Sequence, residues 1–139
     1  MGKTAGIDLG TTNSLIAFVN SDGRPEVIPV DGEKRLLKSV AAFTDEGALV
    51  GSSARELSVK IPDRVVYSVK RLMGKGIRDL KGEDDKLAYR LVQDTDGIIR
   101  IDLGDRTITP PEVSALILKE LKRKAENFLG ETVERAVIN

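Results

Sequence analysis

Apolar and polar positions alternate over short stretches in the first fifty residues, which is the pattern of half-buried strands. The predicted strands cover residues 3–9, 14–19, 26–30, 39–44 and 49–50. Turn residues separate them: Gly10-Thr11-Thr12-Asn13, Ser21-Asp22-Gly23 and Asp45-Glu46-Gly47. Residues 31–38 begin with polar side chains and are predicted to form an exposed loop. The pattern therefore predicts a β-meander whose first hairpin is tight.

In the middle of the chain the apolar residues first recur at helical spacing and then return to the pattern of strands. Ser53 and Glu56 have the spacing of a capping box, and Pro62 would end that helix. A second helix is predicted from Asp63 to Gly74, with Val65, Val66, Val69, Leu72 and Met73 at helical spacing. A second meander then covers 87–93, 98–103 and 106–109, with a two-residue primed turn at Gly104-Asp105.

The clearest predicted element is a long helix near the end. Thr109 is placed to cap it, Pro110 stands at its first position, Glu112 follows in its first turn, and Gly130 ends it. At about 1.5 Å per residue it would be about 30 Å long. The apolar run 136–138 starts another strand. Sheet, helix and an unfinished strand lead us to expect a truncated domain.

Composition narrows the chemistry. The 139 residues include 22 Lys and Arg, 22 Asp and Glu, and no His or Cys, so disulfides, Cys/His zinc sites, haem ligation and Ser-His-Asp catalysis are excluded. Zero net charge argues against nucleic acid and membrane as partners. No apolar run approaches the ~20 residues of a membrane span, and no secretory pattern is present. These features predict a soluble, cytoplasmic protein.

Two local features resemble binding motifs but lack parts that those motifs require. Gly74-Lys75-Gly76 starts like a dinucleotide fingerprint, but Asp79 replaces its third glycine and no strand is predicted before it. The densest basic cluster is diluted by Glu120 and Glu126 and lacks interleaved aromatics, so it is interpreted as a solvated helix face. Its members are Lys119, Lys122, Arg123 and Lys124.

The strongest chemical candidate is the first hairpin. Asp8 lies in an apolar strand, where an unpaired carboxylate is costly to bury, and glycine and small hydroxyl residues follow it. Gly10 allows close backbone approach, the N–H groups of Thr11, Thr12 and Asn13 can bind phosphate oxygens, and Asp8 can hold Mg²⁺. A plain hairpin with a Thr-rich turn remains the alternative at this point.

Four segments carry a resemblance to a known family. Ile7-Asp8-Leu9-Gly10-Thr11-Thr12-Asn13-Ser14 resembles the N-terminal signature of the seventy-kilodalton heat-shock chaperones, the family of bacterial DnaK, and the first phosphate loop of the wider actin/sugar-kinase superfamily. The stretches 69–74 and 110–122 resemble the family's lysine-bearing helix and long helix, and 128–138 resembles the lead into its next strand. The matches follow the family's order along the whole chain.

The resemblance implies a mixed α/β protein with the ribonuclease-H-like, actin-like ATPase fold, of which this chain would be a first-lobe fragment with an inserted α+β subdomain. Residues 1–38 would form the first-lobe meander with the phosphate loop, 39–109 the inserted subdomain, and 110–139 the long helix and next strand. One departure is local: Leu36-Leu37-Lys38-Ser39 stands where the family usually has Thr-Thr-Pro-Ser.

The resemblance also assigns residues. It implies that Gly10, Thr11, Thr12 and Asn13 bind the phosphates of ATP or ADP and that Asp8 coordinates Mg²⁺ through water. Lys70 would be catalytic, positioning the water that attacks the γ-phosphate. From the residues alone, a lysine flanking a buried stripe normally extends into water. A further turn, at Gly32, would contact the nucleotide-exchange factor.

The implied function is the N-terminal part of the ATPase domain of a heat-shock, stress-response chaperone that couples ATP hydrolysis to binding and release of unfolded polypeptides. Its partners would be those clients, a J-domain co-chaperone and a nucleotide-exchange factor. The alternatives are a sugar kinase or a filament-forming actin relative. For the isolated chain, a folded module without catalysis is expected, because one phosphate loop and one lysine make only part of an ATP site.

Overall fold

The computed structural model describes residues 2–80, 82 and 86–139. The strands are Lys3–Leu9 (β1), Asn13–Val19 (β2), Pro25–Val27 (β3), Leu37–Lys38 (β4), Val40–Thr44 (β5), Gly47–Val50 (β6), Val65–Tyr67 (β7), Arg90–Gln93 (β8), Ile99–Asp102 (β9), Thr107–Ile108 (β10) and Val133–Ile138 (β11). The α-helices are Ser52–Glu56 (α1) and Pro110–Leu129 (α2), and short 3-10 helices cover Pro62–Arg64, Val69–Leu72 and Ile77–Leu80. The predicted mixed α/β class is confirmed.

The first sheet joins the two ends of the chain. Its strand order is β11-β1-β2-β3, and β4 adds to β2. β1 pairs antiparallel with β2 and parallel with β11. Along β1, Ala5 and Ile7 are buried while Thr4, Gly6 and Asp8 are exposed, so one face of this strand packs into the core and the other is open. That alternation places Asp8 on the open face.

Helix α2 covers the buried face of the first sheet and has the predicted bounds and caps. The Thr109 hydroxyl accepts a hydrogen bond from the Glu112 N–H at 3.3 Å, and Gly130 ends the helix with φ +66°. Its buried stripe joins one core with Ala5, Ile7 and Ile16 of the sheet. The stripe consists of Val113, Ile117, Leu121 and Ala125. Apolar residues at a spacing of four fix this face, as the sequence predicted.

Two three-stranded antiparallel sheets form the middle of the chain, with strand orders β6-β5-β7 and β10-β9-β8. The three predicted hairpins of this region, β5–β6, β8–β9 and β9–β10, are confirmed. In the β9–β10 turn, the Leu103 N–H donates to the Arg106 carbonyl at 2.8 Å, and Gly104 has φ +97°. A positive φ at the first central residue is the signature of a II′ turn, which matches the twist of the flanking strands.

The predicted helix from Asp63 to Gly74 is wrong. Its first part is the 3-10 helix Pro62–Arg64 followed by β7, which pairs with β5. Val65 packs in a small core with Val40, Ala42 and Ala54, whereas Val66 faces the main core. Adjacent buried residues on opposite faces are normal for a strand covered on both sides. Such a strand cannot be told from a buried helix by apolar periodicity alone.

Two smaller predictions also fail. α1 begins at Ser52 after Gly51 and has no side-chain cap, so Ser53 and Glu56 do not form a capping box. Residues 31–38 are not all an exposed loop, because Leu37 is 2% exposed and pairs with Ser14 across β4 and β2. Within the described part of the chain, no helix has the length and apolar character needed to cross a membrane.

Candidate functional site

The candidate site is built around the hairpin loop, which we define as Gly10–Asn13, between β1 and the start of β2. A Cβ added at Gly10 would lie 2.1 Å from the Asn13 carbonyl oxygen, far inside any tolerable contact. The turn therefore closes only because residue 10 has no side chain. Asp8, two residues earlier, is exposed and pairs with Leu15 in the neighbouring strand. The sequence prediction of a tight, glycine-dependent hairpin beside an acidic residue is confirmed.

A buried serine holds this loop from the other side. The Ser39 hydroxyl donates to the Gly10 carbonyl at 2.9 Å, and the Ser39 backbone N–H donates to the Thr12 carbonyl at 2.9 Å. The Ser39 hydroxyl also lies 2.8 Å from the Ser14 hydroxyl, and both side chains are buried. One residue between β4 and β5 is thus bonded to two carbonyl groups of the hairpin loop.

Asn13 contributes an acceptor that has no partner within the described residues. Its Oδ1 is buried and accepts no hydrogen bond there. Leaving a buried polar atom without a partner costs about 1–3 kcal/mol, and in native proteins such atoms are normally satisfied by protein, water or an ion. The hairpin loop therefore contains a buried acceptor that a water or an ion could satisfy.

A cavity of about 370 Å³ opens beside the hairpin loop. Thr11, Thr12, Ser39, Tyr67 and Ser68 line it, together with the apolar side chains of Val40, Val65 and Ala88. Arg55 and Ser58 add a cation and a hydroxyl to its wall. The hydroxyls of Thr11, Thr12 and Ser58 and the guanidinium of Arg55 suit an anionic ligand, because each can donate a hydrogen bond to a phosphate oxygen.

Lys70 follows this cavity wall by two residues. It lies in the 3-10 helix Val69–Leu72, in which Val69 and Leu72 are buried while Lys70 is exposed. The turn into that helix is made by Ser68, which has φ +55°, the left-handed region that a non-glycine residue rarely adopts. The predicted stripe position of Val69 and Leu72 is confirmed, but Lys70 is held on a 3-10 turn rather than on a long helix.

Two tyrosines fix the strand that precedes Ser68. The Tyr89 hydroxyl donates to the Tyr67 carbonyl at 2.6 Å, the Tyr67 hydroxyl accepts the Ala88 N–H at 3.0 Å, and the rings meet edge to face at 5.2 Å. Burial, and secondarily the charge of a nearby ionised Tyr67, raises the pKa of Tyr89 well above its ordinary range. Tyr89 thus remains a protonated donor to the backbone next to the strained turn.

The remaining predicted residue, Gly32, lies apart from the cavity. It has φ +64°, is exposed, and forms the tight turn between Asp31 and Lys34, whose backbones bridge to each other. Its left-handed conformation explains the glycine. Within the part of the chain that the structure describes, no cluster of three acidic side chains forms a ready-made metal cage. Asp8 and the Asn13 oxygen are therefore a partial site at most, suited to a cation that keeps its waters.

The family model of the Hsp70 protein matches residues 4–139. The chain belongs to the Hsp70 family. This agrees with the resemblance carried by the hairpin loop, the 69–74 segment and α2. Hsp70 proteins are chaperone-type ATPases that bind nucleotide, generally with Mg²⁺, and act on unfolded proteins together with co-chaperones. In this Hsp70 chain, Thr11 and Thr12 of the hairpin loop and Tyr67 and Ser68, which precede Lys70, line one cavity.

Sequence reasoning missed the supporting residues of this Hsp70 site. Ser39 was noted only as part of a segment that departs from the family pattern, although it retains the serine of that pattern. Tyr67 and Tyr89 drew no attention. A hydroxyl pair separated by 25 residues and a tyrosine bond separated by 22 give no local signal. Only the pairing of β4 with β2 and of β7 with β5 brings them together.

Proposed function

We propose that the hairpin loop binds the phosphates of ATP or ADP and that this chain is the N-terminal part of the ATPase domain of a DnaK-type chaperone. The observation that carries the proposal is the loop itself. A glycine turn held by Ser39 presents Thr11 and Thr12 to a cavity of about 370 Å³ whose wall also carries Arg55 and Ser58. Backbone N–H groups gathered in such a turn form an anion-binding concavity.

Magnesium fits the residues present. Asp8 would hold it through water, and the unpartnered Asn13 oxygen is a second place where a coordinated water could donate. When bound, Mg²⁺ would neutralise charge on the phosphate oxygens. The chain's own part is to orient the phosphates through the N–H groups of Thr11, Thr12 and Asn13 and to bring Asp8 within reach of the metal's waters.

Lys70 is proposed as the catalytic residue that positions the attacking water. Its support is its position two residues after Ser68, which lines the same cavity as Thr11 and Thr12. Phosphoryl transfer to water needs positioning and positive charge more than covalent chemistry. A lysine on a short turn anchored by buried Val69 and Leu72 can supply both without its backbone moving.

The wider proposal follows the family. Residues 1–38 and 110–139 would belong to a first lobe of the actin-like ATPase fold and 39–109 to an inserted subdomain. Nucleotide turnover would control binding and release of unfolded polypeptides with a J-domain co-chaperone, and Gly32 would contact an exchange factor. The exposed turn at Gly32 supports only its accessibility. A cytoplasmic location stays a prediction.

The test is a titration of this chain with Mg-ATP and with ATP plus a chelator. We expect millimolar affinity for Mg-ATP, roughly 4 kcal/mol of binding free energy, because the chain offers one phosphate loop. Removing the metal should weaken binding, and Asp8→Asn should remove most of the difference between the two ligands. Thr4→Val, on the same open face of β1, is the matched control and should bind like the parent chain. Equal binding with and without Mg²⁺ in the parent chain would contradict the metal role of Asp8.

A further inference from the structure

We infer that Ser39 is the positioning residue of the phosphate site, which aims the N–H groups of the hairpin loop at the ligand. The inference rests on the proposed function and adds a residue that the sequence did not assign to it. Although Ser39 lines the cavity, its one hydroxyl proton goes to the Gly10 carbonyl and is not left for a ligand. It acts through two carbonyl groups, those of Gly10 and Thr12.

The direction of the buried hydroxyl bonds can be worked out from the donor count. A serine hydroxyl has one proton, and a carbonyl oxygen only accepts. Because Ser39 gives its proton to the Gly10 carbonyl, its contact with Ser14 must run the other way, with the Ser14 hydroxyl donating to Ser39. The chain of bonds is therefore Ser14 to Ser39 to Gly10, and Ser39 is its indispensable member.

Peptide planarity carries this effect to the phosphate side. In a trans peptide the C=O of one residue and the N–H of the next point in opposite directions, and the described chain has no cis peptide bond. Holding the Gly10 carbonyl on the Ser39 hydroxyl therefore turns the Thr11 N–H away from Ser39. Holding the Thr12 carbonyl on the Ser39 N–H does the same for the Asn13 N–H.

The two bonds differ in what a mutation can remove. The bond to Thr12 uses the Ser39 backbone and survives any side-chain change except proline. The bond to Gly10 uses the hydroxyl and disappears in Ser39→Ala. Ser39→Ala should therefore free the first peptide of the loop and leave the third in place, so the Thr11 N–H loses its fixed direction while the Asn13 N–H keeps it.

The chain supplies its own matched control. Ser14→Ala also deletes one buried hydroxyl of the same pair, but it leaves the Ser39 to Gly10 bond intact. Ser39→Thr keeps the hydroxyl and serves as the rescue variant. Amide resonances of Thr11 and Asn13 should be followed by ¹H–¹⁵N NMR while Mg-ATP is added to the parent chain and each variant, at a temperature where all are folded.

We expect the Thr11 and Asn13 amides of the parent chain to shift with Mg-ATP. Ser39→Ala should bind about fivefold more weakly, the value of one neutral hydrogen bond of about 1 kcal/mol, and its ligand-induced shift should shrink more at Thr11 than at Asn13. Ser14→Ala and Ser39→Thr should stay within about twofold of the parent affinity on the same hydrogen-bond scale.

Two results would overturn the inference and leave the proposed function standing: Ser39→Ala binding like the parent chain, or Ser39→Ala and Ser14→Ala losing affinity equally. The second would mean that the hydroxyl pair only stabilises the fold. If the loop amides of the parent chain do not respond to Mg-ATP at all, the proposed function itself fails, and the role of Ser39 fails with it.

Discussion

The hairpin loop and the lysine-bearing segment, residues 62–74, face the same cavity, but they are specified in different ways. The hairpin loop depends on a local feature, the missing side chain of Gly10, and its strands have the predicted bounds within a residue. The lysine-bearing segment takes its shape from partners far away in sequence, β5 and Tyr89. The hairpin loop can therefore be predicted from its own residues. The lysine-bearing segment cannot, because its conformation depends on tertiary pairing.

The difference also concerns strain. In the described residues the hairpin loop has no left-handed residue, whereas the lysine-bearing segment turns at Ser68 with φ +55°. A non-glycine residue in this region costs about 1–2 kcal/mol and persists only where its surroundings hold it in place. The contacts that hold it are the Tyr67–Tyr89 pair before the turn and the buried Val69 and Leu72 after it. Of the two regions, the segment that carries the proposed catalytic lysine is therefore the one with a strained backbone.

The largest expected effect separates catalysis from binding. In the complete ATPase of which we propose this chain to be a part, Lys70→Ala should slow single-turnover hydrolysis by roughly 10²–10³, the usual effect of removing one preorganised electrostatic group. ATP binding should be largely unchanged, because the hairpin loop is intact. Lys75→Ala, another exposed lysine five residues on, is the control and should be neutral. Unchanged hydrolysis in Lys70→Ala would remove the catalytic role from this segment.

The next effect tests the hairpin loop. Gly10→Ala should lower the free energy of unfolding by about 2–3 kcal/mol and abolish the Mg-ATP response, because its Cβ would overlap the Asn13 carbonyl and force the turn open. Urea denaturation measures the first and the amide titration the second. Gly6→Ala is the matched control, since a Cβ there meets nothing within 4 Å and needs no positive φ. Similar losses in the two variants would show that glycine content of β1, not the turn, is what matters.

A third effect tests the long-range support of the lysine-bearing segment. Tyr89→Phe leaves the Tyr67 carbonyl without its donor in a buried place and should cost about 1–2 kcal/mol. Tyr67→Phe removes a hydroxyl whose partner, the Ala88 N–H, is in an exposed residue, so it should cost less. Thermal unfolding of both variants provides the comparison. A larger loss of stability in Tyr67→Phe than in Tyr89→Phe would show that the Tyr89 hydroxyl is not the main support of this segment.

The stability of the chain at alkaline pH tests the environment of Tyr89 independently. Because the folded pKa of Tyr89 is raised by burial, its contribution to stability is complete below the unfolded value of 10.0 and is lost as the pH rises above it. Tyr89→Phe should therefore flatten the fall in stability on the alkaline side. A parent chain and variant with the same alkaline profile would contradict the buried, protonated state.

The contrast between local and long-range contacts also explains which parts of the fold and of the site could be predicted from the sequence. Some features depend only on residues that are neighbours in sequence, and these were predicted correctly. They are the caps of α2 at Thr109 and Gly130 and the turn at Gly10. β7 was predicted as helix because Val65 and Val66 are both buried, and only pairing with β5 explains why. Ser39 was not seen as part of the site, since its bonds to Gly10 and Thr12 cross more than 25 residues.

The smallest effect is the most diagnostic of local strain. Ser68→Gly removes the left-handed penalty but adds freedom to the unfolded chain, so the free energy of unfolding should rise by at most about 1 kcal/mol. In a helix the same change would lower stability by about 0.5–1 kcal/mol. The sign of the change in the free energy of unfolding, measured by urea denaturation, distinguishes a left-handed Ser68 from a helical one. A clear loss of stability would argue that the Ser68 hydroxyl itself is needed in the cavity wall.

The most direct test of the central claim is a residue-resolved ¹H–¹⁵N titration of the unmodified chain with Mg-ATP. We predict millimolar binding with the largest amide shifts at Gly10–Asn13, weaker shifts at Tyr67 and Ser68, which line the same cavity, and little change along α2. Largest shifts at residues away from the hairpin loop, or none at any concentration up to tens of millimolar, well above the expected affinity, would contradict it.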